Sequence, residues 1–418
     1  MTTVEVFAGA GGLALGLAAA GFKNRVLIDW DEDAVETLRL NGAAQHPLAR
    51  EWSPVKMDVR GLSLSQIFNS DLALLAGGPP CQPFSQGGLH RGPLDPRDMF
   101  PSFIRLVREG APKAFLVENV RGLAREKFAT YLEYIILGLT YPTIAPRPNE
   151  GWLDHLARLE QHHTSRRRGG EELSYNVVYQ VLNAADYGVP QKRERLFIVG
   201  FRNDLEIEWS FPRPTHYAAL LHYEQIITGA YWDRHGITQK DGVHGKRPSP
   251  NRVERAAEKI LEGAPHAMPW RTVRDALWGD DPLPNPQGNH GVPNHEFWPG
   301  ARVYPGHTGS PLDEPSKTIK AGVHGVPGGE NMLRFGDGSV RYLTVREAAR
   351  IQTFPDDYVF PSGWTRGMKL IGNAVPVLLA KMLGVSIKGA LQEAGAARAT
   401  AYRERDRANP ASGLRSFR

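Results

Sequence analysis

The stretch Thr3-Val4-Glu5-Val6-Phe7-Ala8-Gly9-Ala10-Gly11-Gly12 begins with a short β-prone run, breaks into three glycines within four residues, and passes into the helical pattern of residues 12–20. Branched residues suit a pleated strand, and glycine lets the backbone turn tightly into a helix, so this stretch predicts the first βα step of a parallel sheet. The alternation continues, with strands predicted at 3–7, 25–29, 55–58, 72–76 and 114–118 and helices between them, including 12–20, 32–41 and 97–109. Runs 176–182 and 196–201 are joined by a loop containing Gly188-Val189-Pro190. That loop is too short for a helical crossover, so the pair predicts an antiparallel hairpin at the sheet edge. The expected fold class is α/β, mostly parallel, with an antiparallel edge.

Ligand crevices in such sheets open at the carboxyl ends of the strands, so the residues after each strand are the ones to weigh. Phe7, Ala8, Gly9, Gly11 and Gly12 follow the first strand and allow close approach to a helix N-terminus. Asp29 and Trp30 follow the second, where a carboxylate can accept both ribose hydroxyls and an indole can stack on adenine. Asp58, with Val59 behind it, follows the third and is placed to take an adenine amino group. Together these describe an adenosine pocket. The glycine pattern also fits a dinucleotide, and a tight turn without a ligand would look the same.

The loop after the fourth strand, Gly77-Gly78-Pro79-Pro80-Cys81-Gln82-Pro83-Phe84-Ser85, holds the only cysteine of 418 residues. A single thiol excludes an internal disulfide and a cysteine zinc site, leaving inert packing or covalent chemistry. Taken alone, Cys81 reads more readily as packing. The fifth strand runs into Glu118-Asn119-Val120, and adjacent strand ends converge on one crevice, which brings a carboxyl to the thiol and favours chemistry. Gln191-Lys192-Arg193-Glu194-Arg195 then sets two guanidinium groups at i and i+2, on one face of a strand start. Charged strand starts are also ordinary edge protection.

Composition adds bounds. The length suggests two domains, or one with a large insertion. A net charge of +5 and a pI near 9.2 are compatible with an anionic partner. The opening residues lack a signal-peptide pattern and no run of 18 apolar residues is present, so a cytoplasmic protein without a membrane anchor is expected.

The blocks quoted so far, with Thr344 to Phe354 and Gly372-Asn373-Ala374-Val375-Pro376, resemble in content and order the DNA (cytosine-5) methyltransferases of the bacterial restriction-modification type. The resemblance covers roughly residues 3–205 and 340–390. It implies a Rossmann-like fold using S-adenosyl-L-methionine, with S-adenosyl-L-homocysteine as product and no metal. It assigns 1–205 and 340–391 to a catalytic and cofactor-binding domain and 206–339 to a small loop-rich target-recognition domain, while the Arg-rich composition of 392–418 predicts a flexible basic tail. Cys81 would attack C6 of a flipped-out cytosine in double-stranded DNA, with Glu118 neutralising the charge at N3. Arg195 would hold O2, Arg193 the surroundings of the base or a phosphate, and Asn119 would orient the carboxyl. Pro80, Met99, Asn373, Ala374 and Val375 would join the cofactor site. Ser85, Gln86, Gly87, Arg91 and, in the variable segment, Thr318 would meet DNA, and Arg346 would brace the recognition domain. A restriction endonuclease is a candidate functional partner that the sequence itself does not reveal, and a monomeric state is expected.

Residues 140–175, including Arg166-Arg167-Arg168, are an insertion expected to be a solvated loop, the alternative being a wider DNA footprint. Three other readings are weaker. An RNA cytosine-5 methyltransferase would need two cysteines or a Cys-Phe-Thr element. A nicotinamide dehydrogenase would leave the Cys81, Glu118 and Arg195 blocks unexplained, and an inactive DNA-binding relative would have no use for Cys81 and Glu118.

Overall fold

A computed structural model describes residues 1–66, 72–80, 98–165, 172–238, 248–305, 307–321 and 331–408, with side chains described as far as residue 397. Strands β1 (Thr2–Val6), β2 (Lys23–Asp29), β3 (Pro54–Lys56), β4 (Leu74–Gly77), β5 (Ala114–Val120), β6 (Tyr175–Asn183) and β7 (Glu194–Arg202) form one sheet in the order β3-β2-β1-β4-β5-β7-β6. The first five are parallel, and β7 runs antiparallel to both β5 and β6. The predicted edge hairpin is therefore present, with β6 outermost. Strand order reverses between β1 and β4, and the loops leaving these two strands flank the resulting crevice.

Helices α1 (Gly12–Ala19), α2 (Glu32–Ala43), α3 (Phe100–Gly110) and α4 (Ala129–Thr140) connect the strands. Val4 and Val6 face one apolar layer with Phe103, Phe115 and Ile135, while Leu74, Ala76 and Leu116 face the opposite layer, which contains Leu13 and Leu17. Buried on both faces, the strands read as apolar runs rather than alternating ones.

Three elements differ from expectation. The tail expected to be flexible from residue 392 instead continues the helix Val377–Ala408; residues 409–418 lie outside the described residues. Ala-rich sequence with Arg and Glu favours propagation of an established helix, and local charge did not reveal this. The insertion is not merely a solvated loop, because helix α5 (Trp152–Thr164) packs on α4 through buried Leu156 and Leu159. His155 anchors it, with Nδ1 3.0 Å from the Tyr134 hydroxyl and Nε2 2.7 Å from the Ile144 carbonyl. Arg166, Arg167 and Arg168 lie outside the described residues. Within 206–339, expected to be loop-rich, Pro250–Gly263 forms a helix with Pro250 in its first turn and Val253 and Ala257 buried.

The stretch Trp364–Ala397 is long and apolar enough by composition to cross a membrane, but 67% of its most apolar window is buried inside the protein. Leu379, Leu383 and Ile387 pack with Leu13 and Leu17 of α1. The two backbones approach closely: a Cβ on Gly16 would lie 2.3 Å from the Ala380 Cβ. Val273, Leu277, Ile319, Met332 and Leu333 share one hydrophobic cluster with Ala10, Leu38 and Phe354, so the variable segment is rooted in the core of the large sheet.

Candidate active site

The loop after β1 is shaped by left-handed backbone. Phe7 has φ 57°, Gly9 53° and Gly11 79°, and Gly11 caps α1. A Cβ on Gly11 would sit 2.8 Å from Leu38 Cδ2 and 2.9 Å from the Tyr358 hydroxyl, so space and conformation both require glycine there. A Cβ on Gly9 would meet nothing within 4 Å, which leaves open space over the loop. The Ala8 amide donates to the Ile28 carbonyl, joining the ends of β1 and β2.

Asp29 is 9% exposed, and its Oδ2 accepts from the Gly9 amide at 2.8 Å while Oδ1 accepts from the Asp31 amide at 2.9 Å. Each oxygen keeps a further lone pair for an incoming hydroxyl. Burial raises the Asp29 pKa against the opposing pull of these amides. Trp30 beside it is 71% exposed. The Asp58 carboxylate, expected to meet an adenine amino group, instead accepts from the Arg60 backbone and guanidinium, which hold its pKa below the usual range. Val59 is buried behind it.

Asn373, Ala374 and Val375 return to this loop. A Cβ on Gly12 would lie 2.2 Å from the Val375 carbonyl oxygen and 3.3 Å from the Ala374 Cβ. Asn373 itself is exposed at the end of the helix Trp364–Asn373. Lys369 on that helix pairs with Asp31 at 2.5 Å, and Arg366 reaches Asp33 and Glu36 at 2.6 Å. The start of α2 and this helix are thus pinned together by charges that sequence order does not reveal.

Glu118 is 8% exposed, and its Oε1 lies 2.9 Å from Arg195 Nε. Register explains the pair: Val120 is opposite Arg195 and Glu118 opposite Phe197, so Glu118 and Arg195 are diagonal neighbours on one face. Burial raises the Glu118 pKa, opposed by the Arg195 and Arg193 charges. A Cβ on Gly78 would lie 3.3 Å from Glu118 Oε2, and Asn119 Nδ2 donates to the Pro79 carbonyl at 3.1 Å. The carboxyl therefore sits against the backbone leading to Cys81. Cys81, Ser85, Gln86, Gly87 and Arg91 lie outside the described residues. Pro80 and Met99 are both partly buried, and Met99 precedes the first turn of α3.

Arg193 differs from the expectation that it grips the surroundings of a base or a phosphate. It is 1% exposed, and donates to the Ile319 carbonyl at 3.1 Å and the Gly372 carbonyl at 2.9 Å. The loop around it folds inward because Gln191 forms a parallel bridge with Ser316. The Thr318 hydroxyl, expected to meet DNA, donates to the Lys192 carbonyl at 2.7 Å. Arg346 is buried and donates to the carbonyls of Pro293, Pro355 and Tyr358.

Glu5 belongs to none of the sequence blocks that mark the site. It is 1% exposed in a central strand, its pKa raised well above the ordinary value by burial and by Asp29, and its Oε2 has no hydrogen-bond partner among the described residues. An acidic residue inside an apolar central strand was the available signal. Tyr358, whose hydroxyl donates to the Ala10 carbonyl, carried none.

Comparison with protein families matches residues 1–140 and 170–389 to the C-5 cytosine-specific DNA methylases. Among curated relatives, Type II methyltransferase M.Eco47II of Escherichia coli is 34% identical, over 92% of this chain and 78% of its own length. M.PspPI of Psychrobacter is 33% identical over the same shares, and M.NgoMIV of Neisseria gonorrhoeae 31% over 94% and 98%. Among solved structures, the Schizosaccharomyces pombe Dnmt2 methyltransferase aligns with a TM-score of 0.53 at 17% identity, covering 94% of this chain and 98% of that one. That likeness is one of fold.

Proposed function

The chain belongs to the C-5 cytosine-specific DNA methylase family and is a site-specific DNA cytosine methyltransferase; from that premise we propose how its residues divide the work. S-adenosylmethionine, used by the family, would supply an electrophilic methyl group. The open space over Gly9, the spare acceptor capacity of Asp29 and the exposed face of Trp30 fit its adenosine part. Asn373 would meet its amino-acid end. With its carboxylate engaged by Arg60, Asp58 is a weaker candidate for adenine.

The target cytosine must leave the helix, at a cost of a few kcal/mol, before side chains can reach its ring. The Cys81 thiolate would then bond to C6, and the electron pair displaced into the ring would be met at N3 by a proton from Glu118. C5 becomes nucleophilic and takes the methyl group. Loss of the C5 proton to a base, breakage of the C6–S bond and return of the N3 proton to Glu118 restore the aromatic ring, the thiolate and the carboxylic acid. Arg195 would orient the base while holding Glu118. The observation that carries this reading is the buried, Arg195-bound Glu118 carboxyl beside the Gly78 and Pro79 backbone. A carboxyl whose pKa is raised by burial holds a proton more readily than one in water.

Residues 1–205 and 340–391 would form the catalytic part and 206–339 the part that selects the target. Partnership with an endonuclease of the same specificity and action as a cytoplasmic monomer complete the proposal. Methylation sequencing of DNA from a methylation-free host expressing the protein would define the target. DNA with 5-fluorocytosine at that position should then trap a covalent adduct, because the C5 substituent cannot leave as a proton. An adduct that persists in Cys81→Ala would reject the assigned nucleophile.

A further inference from the structure

The structure assigns Arg193 a role separate from contact with the base: we propose that it is a positioning residue linking the cofactor turn to the DNA-facing segment, so that binding at one strengthens binding at the other. This rests on the methyltransferase reading. The guanidinium is 1% exposed and its two terminal nitrogens bind carbonyls from distant parts of the chain. Ile319 Oat 3.1 Å follows Thr318 in the variable segment, and Gly372 O at 2.9 Å precedes Asn373 in the cofactor turn.

The anchor of this bridge is rigid. The Arg193 amide donates to Asn183 Oδ1 and its carbonyl accepts from the Ala184 amide, fixing it to the end of β6. Around it, Gln191 Oε1 accepts from the Ile319 amide, the Lys192 amide donates to the Ser316 carbonyl, and the Ser316 amide donates to the Pro190 carbonyl. The contact between the two bridged segments is equally tight, since a Cβ on Gly372 would lie 2.3 Å from the Ala321 nitrogen and 2.4 Å from the Lys320 carbonyl carbon. A shift of the variable segment on DNA must therefore be felt at Gly372, one residue from Asn373. Two residues along the chain, Arg195 holds Glu118, so the same short stretch also borders the proposed base pocket.

Lysine keeps the charge but cannot span two carbonyls in the fixed fork that arginine offers. The test is calorimetric titration of S-adenosylhomocysteine into wild type and Arg193→Lys, with and without an unmethylated duplex carrying the target. In wild type the duplex should tighten binding about 5-fold or more, the lower end of ordinary coupling between sites. In Arg193→Lys the ratio should fall to within about 2-fold of one, with the melting temperature recorded alongside. If Arg193→Lys does not fold, Gly372→Ala perturbs the same junction from the opposite side and should lower the ratio likewise. A wild-type ratio of one, or a wild-type ratio retained in the folded variant, overturns the proposal. Absence of methyl transfer by wild type would instead overturn the reading beneath it.

Discussion

Replacing Trp30 by alanine isolates the cofactor platform from the fold. The indole is 71% exposed and therefore contributes little packing. A buried tryptophan covers roughly 250 Å² at most, so about 180 Å² of this one is accessible, and an adenine laid on one face would cover about 60 Å². Counting an equal area on the adenine and about 25 cal/mol per Å² gives an upper bound of about 3 kcal/mol. Alanine substitutions at stacked bases cost about 1 to 3 kcal/mol, which agrees. The expected result is a dissociation constant for S-adenosylhomocysteine raised about 5- to 150-fold in isothermal titration. Stability should change by no more than about 0.5 kcal/mol in denaturant unfolding, as for other surface substitutions. Trp30→Phe should restore most of the affinity. Unchanged affinity in Trp30→Ala would place the adenine elsewhere; a loss matched by equal destabilisation would make Trp30 a structural residue.

Gly11→Ala combines a positive φ with a Cβ 2.8 Å from Leu38, and should destabilise the protein by about 1 to 3 kcal/mol in urea unfolding; a midpoint equal to wild type would contradict the close packing. Burial raises the Glu118 pKa while Arg195 and Arg193 hold it down, so Arg195→Gln should raise it further, read from carboxyl carbon shifts across a pH series. A fall on that substitution would reverse the assigned electrostatics. Glu5 has a folded-state pKa raised by burial and by Asp29, so its penalty is absent below the unfolded value of about 4.3 and grows as pH rises through the folded value. Glu5→Gln should therefore gain stability over wild type at pH 8 relative to pH 5, and a difference independent of pH would count against that burial penalty.

Much of this site was legible because its chemistry lies at strand ends. Apolar runs alternating with helical patterns located β1, β2, β4 and β5 within a few residues, and the short loop at Gly188 predicted the antiparallel hairpin. Gly11 was readable because a turn into a helix needs φ that only glycine adopts cheaply. The contact of Asp58 with Arg60 was not legible, because a competitor for hydrogen bonds two residues away leaves no mark in the sequence on which partner prevails. The insertion was underestimated because α5 gains its stability from α4, a tertiary partner that its own pattern does not identify.

The sequence by itself determined the βα alternation, the residues that end each strand and, through ordered blocks, the family. Those features depend on local backbone preference and residue chemistry. Only the tertiary structure decided that Glu118 pairs with Arg195, that Lys369 secures the loop of Asp31, and that Arg193 is buried between Ile319 and Gly372. Ile319 and Gly372 are separated from Arg193 by more than a hundred residues, and they offer it backbone carbonyls, which every residue possesses. No side-chain pattern can announce such partners, so folding alone selects them.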